Sequence, residues 1–155
     1  MKIPTFIYGT AWKEERTAEL TALALVSGFR AIDTANQRRH YHEAGVGEGL
    51  SRAWVPRDEL FLQTKFTYVG GQDHRLPYDP KADQPTQVRQ SFESSLEHLG
   101  TDYLDSYVLH GPASGRGWTE SDTQVWATMK AIQAEGRVRH LGVSNVSIRH
   151  LQEMP

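Results

Sequence analysis

The chain has 155 residues, of which 38% are hydrophobic and 23% are charged, and its formal net charge is −2. This composition is ordinary for a globular domain, and the near balance of charges gives no electrostatic reason to expect nucleic acid or a membrane surface as a partner. Because the chain has no cysteine, disulfides, thiolate catalysis and cysteine-ligated zinc are excluded.

Segments that would direct the chain to a membrane are not evident either. No run of residues approaches the ~18 consecutive apolar residues that a bilayer span requires. Residues 1–5 lack the sustained apolar core of a signal peptide. We therefore expect a single domain over residues 1–155 with a cytoplasmic location, since this length is sufficient for one hydrophobic core.

Apolar runs of strand length recur along the chain and alternate with segments of helical periodicity. The runs predicted to be strands are 6–8, 29–32 with Asp33 at its end, 60–66, 103–109 and 138–143. The first helix is predicted to have Thr17 as its cap. Its predicted buried face consists of four residues at helical spacing: Leu20, Leu23, Ala24 and Ser27. Ser147 is predicted to cap a last helix.

The second helix, which is expected to follow Glu43, contains the three glycines Gly45, Gly47 and Gly49. Each of them costs about 1 kcal/mol relative to alanine in a helix. Three glycines in one short helix indicate that another backbone approaches closely. Tight packing of this helix against a strand is the expected reason.

The order of the predicted elements indicates the fold class. Strands alternate with helices five times, which predicts a parallel sheet wrapped by helices. A doubly wound dinucleotide-binding fold is disfavoured, because no Gly-x-Gly-x-x-Gly follows the first strand. A closed barrel needs roughly 200 residues or more. The predicted class is therefore α/β, of the (β/α)8 TIM-barrel type, truncated to about five β/α units.

Ionisable residues end three of the predicted strands. Asp33, Lys65 and His110 each follow an apolar run directly, and Tyr41 comes shortly after Asp33. In a barrel of parallel strands the carboxyl ends of all strands meet at one rim, where reacting groups gather. We therefore expect these four side chains to lie close together, although they are far apart in sequence.

These four side chains suit the protonation of a carbonyl oxygen. A tyrosine with an unperturbed pKa of about 10 is a poor acid, and a neighbouring ammonium such as that of Lys65 is expected to lower this pKa. Asp33 can hold the ammonium in place, and His110 can donate a hydrogen bond to the carbonyl oxygen. The hydride must come from a cofactor, because no side chain supplies one, and no metal is needed.

Several of these residues have a second interpretation when each is taken alone. Lys65 at a barrel strand end can form a Schiff base, as in an aldolase, and His110 can be a hydrogen-bonded core histidine. Trp12 either lines an apolar substrate pocket or packs against the protein. His40 and His42 are more typical of a solvated loop than of a metal site.

Seven short motifs follow one another through nearly the whole chain: GFRAIDTA at 28–35, VG at 46–47, QTK at 63–65, LGTDYLD at 99–105, LH at 109–110, GRVR at 136–139 and GVSN at 142–145. In this order they resemble the aldo-keto reductases. The resemblance implies a (β/α)8 barrel that uses NADPH as cofactor to reduce aldehyde or ketone carbonyls of small molecules. The implied partner is thus a small-molecule carbonyl substrate.

The resemblance also implies a role for each matching residue. Asp33 matches the aspartate that pairs with the catalytic lysine, and Lys65 matches that lysine. His110 matches the histidine that orients the substrate. For the cofactor, the resemblance implies that Asp33 is joined by three more residues, of which the last two hold the nicotinamide carboxamide: Thr34, Ser144 and Asn145.

The chain departs from the family at the tyrosine. The family usually places it five residues after the aspartate, where this chain has Arg38, and an arginine stays protonated and cannot act as an acid. We assign the acid to Tyr41, because Glu43 and then Val-Gly at 46–47 follow it much as they follow the family's tyrosine.

A second departure is that the chain stops before the family's later strands, which hold the adenosine 2′-phosphate. The alternative function is therefore an inactive barrel fragment or an interaction module that needs a partner. Its fifth strand would then have an open outer edge at 139–143. Open edges pair with other chains, so self-association through this edge is expected under that alternative.

Overall fold

The structure, a computed structural model, describes residues 3–155. The β-strands are β1 (Tyr8–Gly9), β2 (Ala31–Asp33), β3 (Phe61–Phe66), β4 (Leu104–Leu109) and β5 (Val138–Val143). The α-helices are α1 (Thr17–Val26), α2 (Glu43–Ala53), α3 (Gln84–Leu99), α4 (Glu120–Ala134) and α5 (Ile148–Glu153). Three short 3-10 helices lie in the connections: Glu14–Arg16, Arg57–Glu59 and Val69–Gly71.

The strands form one parallel sheet in the order β1-β2-β3-β4-β5. A helix lies between each pair of consecutive strands, so every crossover is a β-α-β unit. Residue Gly9 is opposite Asp33, and Asp33 is opposite Gln63, so β1 and β2 end at the same level and β3 extends three residues further. The predicted α/β class and the barrel-type succession of strands and helices are confirmed.

The first two strands begin two residues later than the sequence predicts, and β3 and β4 each begin one residue later. The first begins at Tyr8, and Phe6 is 76% exposed because it lies outside the sheet. The second begins at Ala31, because Ser27 and Gly28 form the turn that ends α1 and Phe29 precedes the ladder. In these two strands the apolar run thus begins before the first residue that pairs with a neighbouring strand.

The buried face of α1 differs from the prediction. The helix begins at Thr17, but the N-cap is Arg16, and the Thr17 hydroxyl donates to the carbonyl oxygen of Glu14 over 2.7 Å. Leu23, predicted to be buried, is 56% exposed. The buried residues are Thr17, Ala18, Thr21, Ala24 and Leu25. Apolar residues occur on several sides of this helix, so their spacing alone does not identify the buried face.

The glycines of α2 do permit a close approach, but the partners are helices and not a strand. A Cβ atom at Gly47 would lie 1.8 Å from the carbonyl oxygen of His98 in α3. A Cβ atom at Gly49 would lie 2.7 Å from the carbonyl oxygen of Ala18 in α1. The expectation of helix-to-strand packing at these glycines is therefore wrong, and α2 packs closely against α1 and α3.

Residues at the helix ends explain where α3 and α5 begin. The Asp83 carboxylate accepts from the backbone N–H of Thr86 at the start of α3, and Gly100 ends that helix in the left-handed conformation. Ser147 and His150 form a reciprocal capping box at the start of α5, which confirms the predicted cap.

The hydrophobic core lies between the sheet and the helices. Its largest fully buried side chains include Tyr107, Phe66, Phe92, Ile32 and Leu62. The outer edge of β5 pairs with no other strand among residues 3–155. In the same part of the chain, no helix is both long and apolar enough to cross a membrane.

Candidate active site

The four side chains predicted to meet at the rim lie together in the structure. Asp33 ends β2, Lys65 is the fifth residue of β3, and His110 follows β4 directly. Tyr41 lies in the loop between β2 and α2. The Lys65 ammonium is 5.0 Å from the centroid of the Tyr41 ring, and the Tyr41 and His110 ring centroids are 5.8 Å apart, edge to face.

Asp33 and Lys65 form an ion pair at the base of this cluster. The Lys65 Nζ donates to Asp33 Oδ1 over 2.6 Å and to the carbonyl oxygen of Thr34 over 2.8 Å. Only 7% of Lys65 is exposed. Burial lowers the pKa of the Lys65 ammonium, because the charged form loses hydration, and the carboxylate of Asp33 opposes that shift.

Two residues that the sequence analysis did not select extend this ion pair. Gln63 Nε2 donates to the same Asp33 oxygen over 2.7 Å, and Ser106 Oγ donates to Gln63 Oε1 over 2.8 Å. Side chains alternate across a strand, so Gln63 had to share a face with Lys65, two residues on. That spacing is the signal that could have identified Gln63.

The environment of Tyr41 raises the pKa of its hydroxyl, and does not lower it as the sequence analysis expected. Burial is the larger cause, and the negative charge of Asp33 acts in the same direction. Lys65 faces the Tyr41 ring, and no hydrogen bond from its ammonium reaches the Tyr41 hydroxyl in the described part of the chain. Tyr41 therefore keeps its proton through neutral pH.

Arg38 occupies the family's usual tyrosine position and contacts the main chain of Tyr41. Its guanidinium contacts the Tyr41 carbonyl oxygen at 3.4 Å. Arg38 and Tyr41 both line a cavity of about 360 Å³, together with residues of α2, α3 and the loop at 75–77. Arg38 does not line the cavity at His110.

That second cavity, of about 490 Å³, opens beside His110. Its lining residues are Gln37, His40, Thr67, Tyr68, Gly71, His110, Gly111, Pro112, Gly115 and Asn145. Gln37 lines both cavities, whereas Tyr41 lines the first and reaches the second only through the contact of its ring with His110. The cavity is large enough for a small organic molecule.

His110 is half-buried at this cavity and is not a core residue. Burial and the charge of Lys65 lower the pKa of its imidazole to about 4, so the ring is neutral at pH 7. Its Nδ1 lies 2.7 Å from the hydroxyl of Thr67. The backbone N–H of His110 donates to the Phe66 carbonyl oxygen over 2.9 Å, which ties the residue to β3.

The residues predicted to bind a cofactor lie on the same rim. Ser144 and Asn145 follow β5, and Asn145 Nδ2 donates to the carbonyl oxygen of His110 over 2.7 Å and to Ser144 Oγ over 3.2 Å. The Asn145 carbonyl oxygen and the Ser144 hydroxyl hydrogen remain available as an acceptor and a donor. Thr34 is buried, and its hydroxyl makes no hydrogen bond within residues 3–155.

Trp12 is neither packed in the core nor part of the cavity wall. It is 67% exposed, and its ring stacks on that of His40 with centroids 4.2 Å apart. His40 lines the cavity and Trp12 does not, so Trp12 is connected to the cavity wall only through its contact with His40. Among residues 3–155, no group of three or more histidines and carboxylates is arranged to hold a metal ion.

Comparisons with known proteins identify relatives of this chain. The morphine 6-dehydrogenase of Pseudomonas putida is 36% identical over 156 residues, which cover 99% of this chain and 47% of that protein. The methylglyoxal reductase DkgA of Escherichia coli (strain K12) is 34% identical over 145 residues, covering 92% of this chain and 46% of that protein. This chain thus spans about half the length of the relatives it matches.

The same relationship appears in three dimensions. The crystal structure of an aldo/keto reductase from Brucella melitensis superposes with a TM-score of 0.76 at 30% identity, covering 97% of this chain and 52% of that one. The model of the family described as "Aldo/keto reductase family" matches residues 5–155. The chain therefore belongs to the aldo/keto reductase family.

Proposed function

We propose that this protein reduces aldehyde or ketone carbonyls of small molecules to alcohols, with NADPH as its cofactor and Tyr41 as the proton donor. The observation that carries the proposal is the meeting of Asp33, Tyr41, Lys65 and His110 at one end of the sheet. The names of two relatives, a methylglyoxal reductase and a morphine 6-dehydrogenase, support this class of reaction.

Tyr41 has the protonation state that an acid needs. Its pKa is raised by burial and by the charge of Asp33, so its proton is present at neutral pH. As negative charge develops on a carbonyl oxygen, the hydroxyl can transfer that proton, and the cation of Lys65 near the ring stabilises the phenolate that remains. The Lys65 Nζ is engaged by the Asp33 carboxylate and by the Thr34 carbonyl oxygen, and these two hydrogen bonds disfavour a Schiff-base role.

The residues on the rim fit the nicotinamide end of the cofactor. A carboxamide offers one acceptor and two donor hydrogens, and the free groups of Ser144 and Asn145 are a donor and an acceptor. The unpaired hydroxyl of Thr34 adds a further polar group beside Asp33. When bound, the reduced nicotinamide supplies a hydride to the carbonyl carbon. The neutral ring of His110 faces the substrate cavity, where it can orient the carbonyl oxygen.

The test is a reductase assay of the purified chain with NADPH and small aldehydes, including methylglyoxal. We expect consumption of the nucleotide, and we expect Tyr41→Phe to lower kcat by about 100-fold or more, since general acid catalysis contributes 10²–10⁴-fold. Nucleotide binding, followed by fluorescence, should persist in that variant.

Tyr103→Phe is the matched control, because Tyr103 precedes β4 at the opposite end of the sheet and stacks with Arg57. It should retain the wild-type rate. Full activity in Tyr41→Phe would place the proton donor elsewhere. A chain that binds no reduced nicotinamide nucleotide at millimolar concentration would refute the proposal.

The second candidate function, an interaction module, is supported by one observation. The outer edge of β5 pairs with no strand in the described part of the chain, and Arg139 and His140 are exposed. Unpaired edges add strands from other chains. Analytical ultracentrifugation over a wide concentration range tests this candidate: a mass that rises with concentration supports association, and a constant monomer mass contradicts it.

A further inference from the structure

We propose that Thr67 is a positioning residue that fixes His110 in the tautomer with its proton on Nε2, by donating the Thr67 hydroxyl hydrogen to Nδ1. The two atoms are 2.7 Å apart, a normal hydrogen-bond distance. Thr67 is 6% exposed and lines the same cavity as His110. Thr67 directly follows β3 and belongs to none of the seven motifs.

The direction of this hydrogen bond follows from the partners available to Thr67. A threonine hydroxyl has one hydrogen and two lone pairs. Within residues 3–155 the Thr67 hydroxyl contacts no hydrogen-bond partner besides His110 Nδ1. If Nδ1–H donated to Thr67, the hydroxyl hydrogen would have no protein acceptor within residues 3–155, and a mostly buried donor without a protein partner is costly. Donation from Thr67 to Nδ1 leaves no such hydrogen.

Because the ring of His110 is neutral, its tautomer determines which ring nitrogen can donate a hydrogen bond. Burial and the charge of Lys65 hold the pKa of His110 at about 4, so at pH 7 the imidazole carries one proton. With Nδ1 occupied as an acceptor, that proton is on Nε2. The ring then presents an N–H donor and no acceptor at Nε2. Under the proposed function, on which this step rests, a donor is the group that a substrate carbonyl oxygen requires.

The Thr67 side chain is held in the orientation that this bond requires. A Cβ atom built at Gly71 would lie 2.7 Å from the Thr67 methyl group, so the methyl packs directly on the glycine. A β-branched side chain has few allowed χ1 values, and a methyl fixed on Gly71 fixes the hydroxyl as well. Gly71 therefore contributes to aiming the hydroxyl at His110.

The backbone of Thr67 is anchored by the long loop that follows β3. Its carbonyl oxygen accepts from the Tyr78 hydroxyl over 2.6 Å and from Gln72 Nε2 at 3.4 Å. Both donors are buried, with 6% of Tyr78 and 8% of Gln72 exposed. The loop thus fixes the position of Thr67, and Thr67 fixes the ring of His110.

The experiment is a long-range ¹H–¹⁵N correlation spectrum of the histidine-labelled chain at pH 7, with the His110 signals assigned by their loss in His110→Asn. We expect His110 to show an unprotonated Nδ1 and a protonated Nε2. In Thr67→Val, which is similar in shape but lacks the hydroxyl, the ratio of Nε2–H to Nδ1–H tautomer should fall by about fivefold or more. Thr67→Ser, which keeps the hydroxyl, should restore the wild-type pattern.

Thr21→Val is the matched control, since the Thr21 hydroxyl is also buried but makes no hydrogen bond within residues 3–155. It should leave the His110 signals unchanged. A protonated Nδ1 in the wild type, or an unchanged ratio in Thr67→Val, overturns the inference. Because the spectrum is recorded without substrate or nucleotide, a failure of the proposed reductase activity would not alter this result, and the two proposals can be separated.

Discussion

Gln63 and Asp33 are joined by a hydrogen bond of 2.7 Å, from Gln63 Nε2 to the carboxylate oxygen that also accepts from Lys65. Ser106 donates to the other end of the same amide over 2.8 Å. Asp33 Oδ1 is therefore held by two donors on β3, and one of them is itself oriented from β4. This chain of contacts links three adjacent strands beneath the rim.

We predict that Gln63→Leu lowers the free energy of unfolding by about 1–2 kcal/mol. Leucine keeps similar volume but removes the amide, so Asp33 loses a donor and the Ser106 hydroxyl loses its acceptor. Urea unfolding of the two chains, followed by circular dichroism, measures the difference. Under the proposed function kcat should fall as well, since Asp33 would orient Lys65 less tightly.

Ser106→Ala provides the control, because it removes only the far end of the chain of hydrogen bonds. It should cost about 0.5–1 kcal/mol, and the double variant should cost no more than Gln63→Leu alone. Costs that do not add show that Gln63 and Ser106 stabilise the protein through the same hydrogen-bonded network. Strictly additive effects of the two substitutions would show that Ser106 and Gln63 act independently.

The meeting of Asp33, Lys65 and His110 could be predicted because each ends an apolar run, and parallel strands bring their carboxyl ends to one rim. The same rule does not identify Gln63 or Thr67, since both are neutral residues common in strands and loops. Their roles depend on which atoms they contact, and contacts across strands follow from register, which the sequence pattern leaves open.

The degree to which a side chain is buried is the other feature that the sequence pattern does not predict. The position of Lys65 near Tyr41 follows from the sequence pattern, but the sign of the Tyr41 pKa shift depends on burial and on the charge of Asp33, which both raise this pKa. The buried face of α1 was misassigned for a related reason. Leu23 is apolar yet 56% exposed, and the residues of α1 that α2 approaches closely are the small Ala18 and Thr21.

We predict that Gly47→Ala destabilises the chain by about 2–4 kcal/mol, although alanine is the better helix former by about 1 kcal/mol. The new methyl group would lie 1.8 Å from the backbone carbonyl oxygen of His98, which cannot move without shifting α3. Gly45→Ala is the matched control, since its Cβ atom would meet side-chain atoms of His42 and Thr17 at 3.1–3.3 Å. Thermal unfolding should show the large loss only at position 47; equal losses would contradict a backbone clash.

Trp54 ends α2 in the left-handed conformation, with φ of 53°, while its side chain is 90% exposed. An L-residue pays about 1–2 kcal/mol for this conformation, which glycine adopts freely. We therefore predict that Trp54→Gly raises the free energy of unfolding by about 1 kcal/mol. Trp54→Ala, which keeps the strained backbone and loses the same indole ring, should bring little gain. If alanine stabilises the chain as much as glycine, the effect comes from removal of the ring.

His98 and Glu43 form a partly buried pair whose contribution to stability should depend on pH. The His98 Nδ1 lies 3.1 Å from Glu43 Oε2, and this hydrogen bond is the main cause that raises the pKa of His98 above its ordinary 6.5. A group whose pKa is raised by folding stabilises the protein fully at pH values below its unfolded-state pKa, and this stability is lost as the pH rises through its folded-state pKa.

We predict that His98→Gln costs about 0.5–1 kcal/mol at pH 5.5, after allowance for solvent contact of the ring, and progressively less above neutrality. Urea unfolding across this range measures it, with the exposed His74→Gln as control. A cost that stays the same across this pH range would show that His98 acts through packing and not through its charge.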